Sequence, residues 1–251
     1  MATTATAAAV TGPRRPPFAT HHPADAWFFP LIVVVIWLIM LVGFVPDVII
    51  RINSNAPPYP LVIHAHALVF FGWLMFLASQ VTLVRTGNIA WHRRMGVAGI
   101  ALAAAVTILG PAAALTMQMT HAARQPPPFL AVQGMTIVAF AGLFIAGLIH
   151  RRQAAAHKRL MLLATLALIG AGFGRIIRLV TSAPPPSTLI PAVYIATNVL
   201  VLAIALYDYR TRGRLHPVFL PAAGALLAAE LTAGLLLRFP AWIGFTHRLV
   251  G

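Results

Sequence analysis

The chain has no cysteine, a single lysine and only four acidic residues, Asp25, Asp47, Asp208 and Glu230. The missing cysteine excludes disulfides, thiolate-ligated clusters and the attachment motif of c-type haem. The few acids form no closely spaced pair and no HExxH motif is present, so glycosidase and zincin chemistry have no support. The lysine, Lys158, lies at a predicted membrane boundary. A retinal Schiff base inside a span is therefore excluded.

Charge is scarce as a whole. Charged residues make up 9% of the chain and hydrophobic residues 60%, whereas a soluble domain carries about 25% charged residues. So few charges cannot cover a surface that faces water, and the main solvent is therefore lipid. The net charge of +14 resides in short loops between apolar runs, so we do not expect nucleic acid as a partner. The composition predicts an all-α integral membrane protein whose partner is the lipid bilayer.

Seven apolar stretches are each long enough to cross a bilayer as a helix, which takes about 20 residues. They cover residues 27–46, 61–84, 96–118, 129–149, 159–181, 189–207 and 217–237. Proline-rich connectors follow several of them, because proline ends a helix. The predicted organisation is a disordered cytoplasmic tail at 1–26, a seven-helix transmembrane domain at 27–237 and a short extracytoplasmic tail at 238–251.

The basic residues outside the spans fall mostly on one side of the predicted membrane. Twelve arginines and lysines lie in the tail and loops of that side, and four lie on the other side. The positive-inside rule places the richer side in the cytoplasm. We therefore expect a multi-pass protein of the bacterial cytoplasmic membrane, with a cytoplasmic N-terminus and an extracytoplasmic C-terminus.

The three basic turns between spans share one feature. Each has a histidine, His92, His157 or His216, where the next outward-going helix opens. Each histidine also follows a basic or aromatic residue by seven positions. This spacing suggests one extra first helix followed by three parallel helix-hairpin repeats, a pattern that also occurs among transporters.

Several short motifs resemble those of a bacterial family of predicted multi-pass membrane proteins with a domain of unknown function. The residues are His66, Gln80, His92-Arg93-Arg94-Met95-Gly96, His157-Lys158-Arg159-Leu160-Met161 and Arg175. The resemblance covers roughly residues 66–180 and rests on a His-Arg-x-x-Gly turn and a His-Lys/Arg-x-x-Met turn. The chain departs from the family pattern at Ser79, where proline is expected, and at Lys158, where arginine is usual. The resemblance implies the multi-pass architecture and no particular activity.

Two histidines open the second predicted span on the outer side. His64 and His66 are two residues apart, so on a helix they point to opposite faces. One of them could be an axial haem ligand or belong to a metal or quinone site, since a bundle lined with aromatic residues suits a flat macrocycle. The alternative is an interfacial histidine that hydrogen-bonds to a carbonyl group.

A second group of polar residues lies in the outer half of the later spans. Arg175 and Arg178 are three positions apart on one helix face, and Glu230 lies at a similar depth. We predict that Glu230 pairs with Arg175 or Arg178 as a structural ion pair. Alternatively the arginines hold an anion, such as a haem propionate, a quinone oxygen or a substrate carboxylate. With His64 and His66, these residues and two amides would form one polar layer; the amides are Gln133 and Asn198.

The histidines on the inner side have two interpretations. His92 and His157 open helices at the level of lipid headgroups, where they could cap the helix or contact phosphate groups. They could instead form a second ligand pair, as in two-haem cytochromes. Elsewhere Met117, Met119 and His121 form a candidate soft copper site.

These residues favour a redox function. The leading hypothesis is a b-type haem or quinone-linked electron-transfer protein, acting as a membrane oxidoreductase with a redox partner. In it His64 or His66 is the outer ligand, His92 and His157 are inner candidates, and Arg175 and Arg178 counter anionic groups. A small-molecule transporter or channel, and a structural subunit of a membrane complex, are the alternatives.

Overall fold

The computed structural model describes residues 17–54, 57–120, 125–181 and 185–251. These residues form nine α-helices, one short 3₁₀ helix and no strand. The α-helices are α1 (Asp25–Ile52), α2 (Leu61–Arg85), α3 (Ile89–Met119), α4 (Leu130–Ile149), α5 (Ala154–Leu168), α6 (Gly170–Thr181), α7 (Pro186–Arg212), α8 (Phe219–Leu236) and α9 (Pro240–Val250). The 3₁₀ helix, Pro127–Phe129, leads directly into α4.

The helices confirm an all-α integral membrane protein. Among the described residues, six helices are long and apolar enough to cross a membrane. The consecutive helices α5 and α6, bent by 41°, count as a seventh span if they cross together. Large apolar side chains such as Leu31, Val34 and Leu38 of α1 are about half exposed. Such a surface suits lipid, where apolar side chains carry no hydration cost.

α5 lies at the centre of the bundle. Its side chains from Leu162 to Leu168 are all buried, and α4, α7 and α8 pack against it. The helix carries no charge after Arg159 and is apolar on every side, which is the pattern of a helix surrounded by others. Thr165 accepts a hydrogen bond from Nε1 of Trp73 at 3.3 Å. This bond connects α2 to the central helix.

α6 packs closely against α1 because both helices carry glycine at the contact. A Cβ atom on Gly43 would lie 2.6 Å from the carbonyl oxygen of Gly172. A Cβ atom on Gly172 would lie 3.1 Å from the carbonyl oxygen of Ile39. Both obstacles are backbone atoms that cannot rotate away. Small residues thus allow the two helix backbones to approach as they commonly do in membrane proteins.

The two ends of the bundle differ in composition. The turns α2–α3, α4–α5 and α7–α8 meet the start of α1, as contacts of Asp25, His92 and His157 show. We call this the basic end. At the opposite end, the far end, Trp242 of α9 donates a hydrogen bond to the carbonyl oxygen of Pro128 at 3.0 Å. α9 is thereby attached to the 3₁₀ helix that precedes α4.

The three basic-end histidines are only partly equivalent. The backbone N–H groups of His92 and His157 donate to Asn88 and Gln153, the residues that cap α3 and α5. Both histidines therefore occupy the same position in the first turn. His216 instead precedes α8, and its Nδ1 accepts a hydrogen bond from the N–H of Val218 at 3.2 Å. The proposed repeat therefore holds in local geometry for two hairpins and not for the third.

Both predicted tails contain ordered parts. Within residues 17–26, the carbonyl groups of Ala19 and Thr20 accept hydrogen bonds from Arg212 and Lys158, and the disorder of the tail stays a prediction. Residues 1–16 lie outside the described residues. The predicted C-terminal tail contains helix α9, in which Thr246 is fully buried. Both segments pack onto the helix bundle, which explains why parts of the two predicted tails have defined contacts.

Candidate functional site

The basic end brings His92 and His157 together. Their ring centroids are 6.2 Å apart and the ring planes meet at 78°. Nδ1 of His157 lies 2.8 Å from the carbonyl oxygen of Gly147 on α4. This bond fixes the ring and leaves Nε2 for another partner, which is how imidazole groups that bind a metal or a substrate are usually held. The two rings thus come from α3 and α5 and meet beside the end of α4.

Gln80 completes this group, which we call the histidine cluster (Gln80, His92 and His157). The His92 ring interacts with the backbone of Gln80. Nε2 of Gln80 and Nδ1 of His92 are both buried and have no hydrogen-bond partner among the described residues. A buried polar atom without a partner costs roughly 1–3 kcal/mol, so such atoms usually receive one. The cluster therefore offers an amide donor and an imidazole nitrogen to a guest.

A buried ion pair lies at the same end. The side chains of Arg159 on α5 and Asp208 on α7 are both 0% exposed. Nε of Arg159 donates to Oδ2 of Asp208 at 2.6 Å, and Nη2 donates to Oδ1. A third donor, Nη1, reaches the carbonyl oxygen of Ala155 at 2.6 Å. The guanidinium group is thus satisfied on three sides, which a charge in this environment requires.

Asp25 extends the ion pair into a network. It accepts hydrogen bonds from Lys158 at 2.7 Å, from Arg212 at 2.8 Å and from the hydroxyl group of Tyr207. The residues Asp25, Lys158, Arg159, Asp208 and Arg212 form what we call the basic-end network. It joins the start of α1 to α5 and α7, and its contacts are those of a structural support.

Phe18 and His216 cover this network. The Phe18 ring centroid is 4.9 Å from Cζ of Arg159 and 5.4 Å from Cζ of Arg212. The His216 ring stands edge-on to Phe18, with centroids 4.7 Å apart. Burial, together with the cations Arg159 and Arg212, lowers the pKa of His216 from 6.5 to about 4. His216 is therefore neutral at neutral pH, consistent with its Nδ1 acting as an acceptor.

The two predicted outer histidines do not act together. His64 is exposed, whereas His66 is half-buried beside Phe70, at a centroid distance of 6.2 Å. Arg175 lies close enough to His66 to act on it electrostatically. Their opposite directions follow from the two-residue spacing on α2. The two rings therefore do not share one site, and a ligand role for either of them stays a prediction.

The predicted ion pairs of Glu230 need correction. Nε of Arg175 donates to Oδ2 of Asp47 at 2.9 Å, and Glu230 accepts a hydrogen bond from Nδ2 of Asn198 at 2.7 Å. Glu230 therefore does not serve as the partner of Arg175 or Arg178. The reason is helix order: α6 packs on α1, which carries Asp47, whereas α8 places Glu230 against α7.

The predicted outer polar layer is divided between separate helix pairs. Arg175, Arg178 and Asp47 line one pocket between α1 and α6. Asn198 and Glu230 meet between α7 and α8. Oε1 of Gln133 on α4 is buried without a partner among the described residues. The layer is therefore not one shared cavity.

The candidate copper site is only partly described. Met117 is half-buried and Met119 is exposed near the end of α3, so the two thioethers face different surroundings. His121 lies outside the described residues. Within the described residues no group of three or more histidine or acidic side chains could hold a metal ion.

Sequence reasoning missed the pairing of Asp25, Asp47 and Asp208. Each of them forms a salt bridge with an arginine or a lysine on another helix. One signal could have found them. With only four acids against eighteen basic residues, each acid inside or next to an apolar span is expected to neutralise a nearby cation.

Comparisons with known proteins do not identify the chain: no family model, curated protein or solved structure matches it. The resemblance to the bacterial family therefore stays a prediction from its motif residues. The structure nevertheless groups those residues. Gln80, His92 and His157 meet at the basic end, and His66 adjoins Arg175 toward the far end. The motif thus corresponds to two sites at different depths in the bundle.

Proposed function

We propose that this integral membrane protein transfers electrons, and that its redox group binds at the histidine cluster. One observation carries the proposal. Two imidazole rings and a glutamine from three helices converge, and two of their buried polar atoms have no partner in the described part of the chain. A guest with polar oxygen atoms would satisfy both groups.

A quinone or hydroquinone headgroup fits this chemistry. A hydroquinone oxygen can accept a hydrogen bond from Nε2 of Gln80 and donate its own hydrogen to Nδ1 of His92. The acceptor nitrogen can also take up the proton that a hydroquinone releases on oxidation. The electrons would pass to a redox partner. Nδ1 of His157 is held by the carbonyl oxygen of Gly147, which leaves Nε2 for a further partner.

A b-type haem also fits the histidine pair, though less completely. Imidazole nitrogens are among the side-chain groups that can hold haem iron, so His92 and His157 would be the residues that hold it. His92 and His157 have a centroid separation of 6.2 Å. Such a haem would supply one-electron chemistry in the membrane. We favour quinone because an amide donor such as Gln80 has a role beside a quinone oxygen and none as an iron ligand.

The test is analysis of the purified protein for bound quinone and haem. We expect quinone in organic extracts of wild-type protein and strongly reduced amounts in Gln80→Leu and His92→Ala. His64→Ala is the matched control, because His64 is an exposed histidine outside the cluster. A Soret band that is lost in His157→Ala but retained in Gln80→Leu would assign haem instead. Protein from quinone- and haem-replete cells that contains neither group would contradict the proposal.

We also propose that the basic end faces the cytoplasm of a bacterium, with the N-terminus inside and the C-terminus outside. The excess of arginine and lysine at this end supports the orientation through the positive-inside rule. Asn88 caps α3 at the basic end, and Ser187 lies in the exposed first turn of α7 at the far end, so cysteines introduced at these positions lie at opposite ends of the bundle. They should therefore react with an impermeant thiol reagent from opposite sides of the membrane. Labelling from the same side would refute the orientation.

A further inference from the structure

One acidic side chain within the spans has no cation as a partner among the described residues. Glu230 on α8 is 8% exposed, and Nδ2 of Asn198 on α7 donates a hydrogen bond to its Oε2 at 2.7 Å. The other acids of the chain each form a salt bridge with an arginine or a lysine; they are Asp25, Asp47 and Asp208. Within the described part of the chain, Glu230 is therefore the one acid that is buried opposite an uncharged partner.

Glu230 also lies deep in the bundle, in the half nearer the far end. It precedes Leu236, the last residue of α8, by six positions, which is about 9 Å along the helix axis. It follows Phe219, the first residue of α8, by eleven positions, or about 17 Å. Every other residue of α8 is uncharged. The carboxyl group is therefore surrounded by helices and lipid and lies away from the water at both membrane surfaces.

The helices that pack against α8 supply polar groups without charge at this depth. Asn198 and Tyr194 lie one turn apart on α7, and Tyr194 is close enough to Glu230 to interact with it electrostatically. The charged residues of α7 fall within residues 208–212, at least ten positions, or about 15 Å, beyond Asn198. Helix α4 contains no charged residue, and α5 carries its ionisable residues at 157–159, near its start. Neither helix therefore brings a cation to Glu230.

An ionised carboxylate in this position would be costly. A buried charge without a counter-charge is expensive, and a carboxyl group in such a place usually binds a proton instead. The neutral carboxyl group has one O–H donor and retains a carbonyl oxygen as an acceptor. Because Oε2 of Glu230 accepts the hydrogen bond from Asn198, Oε1 is the oxygen that would carry the proton.

We propose that Glu230 is a proton-binding site within the membrane, in which Asn198 orients the carboxyl group and Tyr194 relays its proton toward the far end. Tyr194 suits this role because it lies between Asn198 and Ser187, which is exposed in the first turn of α7. Acids inside membrane spans commonly serve in proton relays. The site is separate from the histidine cluster and does not depend on a quinone there.

The experiment is infrared difference spectroscopy of the full-length protein in a detergent without carbonyl groups. Since the three other side-chain acids are paired with cations, the C=O stretching band of a protonated carboxyl group at neutral pH should come from Glu230. We expect this band in wild type, no band in Glu230→Gln, and a retained band in Asp47→Asn, the matched acid control. Raising the pH should remove the band reversibly, and transfer to D₂O should shift it because the proton exchanges.

Two further variants separate a proton site from a purely structural hydrogen bond. Asn198→Leu should move the band to higher frequency, because the C=O group loses its hydrogen-bond donor. Tyr194→Phe should leave the band in place at neutral pH and slow its shift after transfer to D₂O. Exchange in Tyr194→Phe at the wild-type rate would overturn the relay role of this tyrosine.

Three results would overturn the proton site: no band in wild type, a band retained in Glu230→Gln, or a band that responds neither to pH nor to D₂O. Should Glu230→Gln fail to fold, an apolar carbodiimide tests the wild-type protein. The carboxyl proton moves to a carbodiimide nitrogen, the carboxyl oxygen bonds to the central carbon, and no group leaves. A mass adduct mapped to Glu230 at neutral pH and lost at high pH supports the proposal, whereas adducts at other acids alone overturn it.

Discussion

The two ends of the bundle each join helices through an arginine and an aspartate, but the two ion pairs differ in burial. The side chains of Arg159 and Asp208 at the basic end are 0% exposed. Those of Arg175 and Asp47 at the far end are 34% and 24% exposed. When a fully buried ion pair loses one partner, the other charge remains buried without compensation. A half-exposed pair remains in contact with water, which can solvate either side chain if its partner is lost.

This difference assigns different roles to the two ends. At the basic end, the network attaches the start of α1 to α5 and α7, so its charges are structural. At the far end, the α1–α6 contact is made by Gly43 and Gly172, and the charges beside it line a pocket. We therefore expect mutations of charge to cost more stability at the basic end than at the far end.

Asp208→Asn should produce the largest loss of stability. It leaves the buried guanidinium group of Arg159 without its counter-charge, and breaking a buried pair costs about 3–5 kcal/mol. The measurement is the free energy of unfolding in detergent. As a control, Arg159→Met combined with Asp208→Leu removes both charges and should recover most of the loss. A single variant as stable as wild type would show that the pair is not a support.

Gly43→Ala should have the next largest effect, because the new Cβ atom would lie 2.6 Å from the Gly172 carbonyl oxygen. The backbones of α1 and α6 would have to separate, at a cost of about 1–3 kcal/mol. Gly224→Ala is the matched control, since a Cβ atom there meets nothing within 4 Å. Thermal unfolding of both variants checks the prediction, and equal midpoints would argue against close packing at the far end.

Acidification should destabilise the basic end through His216. Its pKa is about 4 in the folded protein and 6.5 ordinarily, so between these values the unfolded chain binds a proton that the folded chain does not. Stability should therefore fall as pH drops from 6.5 toward 4. His216→Gln should reduce this fall, whereas His247→Gln in α9 should not. Unfolding midpoints across this pH range measure the effect, and parallel curves for wild type and His216→Gln would contradict it.

Asp47→Asn should have the smallest effect on stability. The pair with Arg175 is partly exposed, and such pairs contribute about 0–1 kcal/mol. The unfolding midpoint should therefore barely change, because water already reaches both side chains. A loss of stability as large as that of Asp208→Asn would remove the distinction between the two ends.

The membrane fold could be predicted from the sequence because the length of an apolar span is set by the thickness of the bilayer. That length does not depend on which helices pack beside the span. The sequence could not predict which charges meet. The predicted first span ends at residue 46 and the sixth at 207, which leaves Asp47 and Asp208 just outside the spans. In the structure α1 and α7 continue beyond them. The pairings depend on which helices pack against the central α5 and on the packing of α6 against α1, and the choice of neighbours has no local signal.

The residues of the candidate site could likewise be predicted only where their signal is local. His92 and His157 were recognisable from their positions at helix starts, and whether they meet depends on how α3 and α5 pack around α4. His64 and His66 face different surroundings, as their two-residue spacing on one helix predicted. Gln80 was visible only through the motif resemblance, and its unpartnered amide nitrogen is a property of the folded chain.

The buried pair of Arg159 and Asp208 also constrains how the protein is made. The two residues are 49 positions apart in the chain, so at ~5–20 residues per second Arg159 is synthesised roughly 2–10 seconds before its counter-charge. A lone arginine at a fully buried position is costly in the membrane. Until α7 arrives, Arg159 therefore lacks the counter-charge that it has in the folded protein. Chains truncated before Asp208 should be degraded by membrane proteases. Chains should become resistant to this degradation once α7 has emerged from the ribosome.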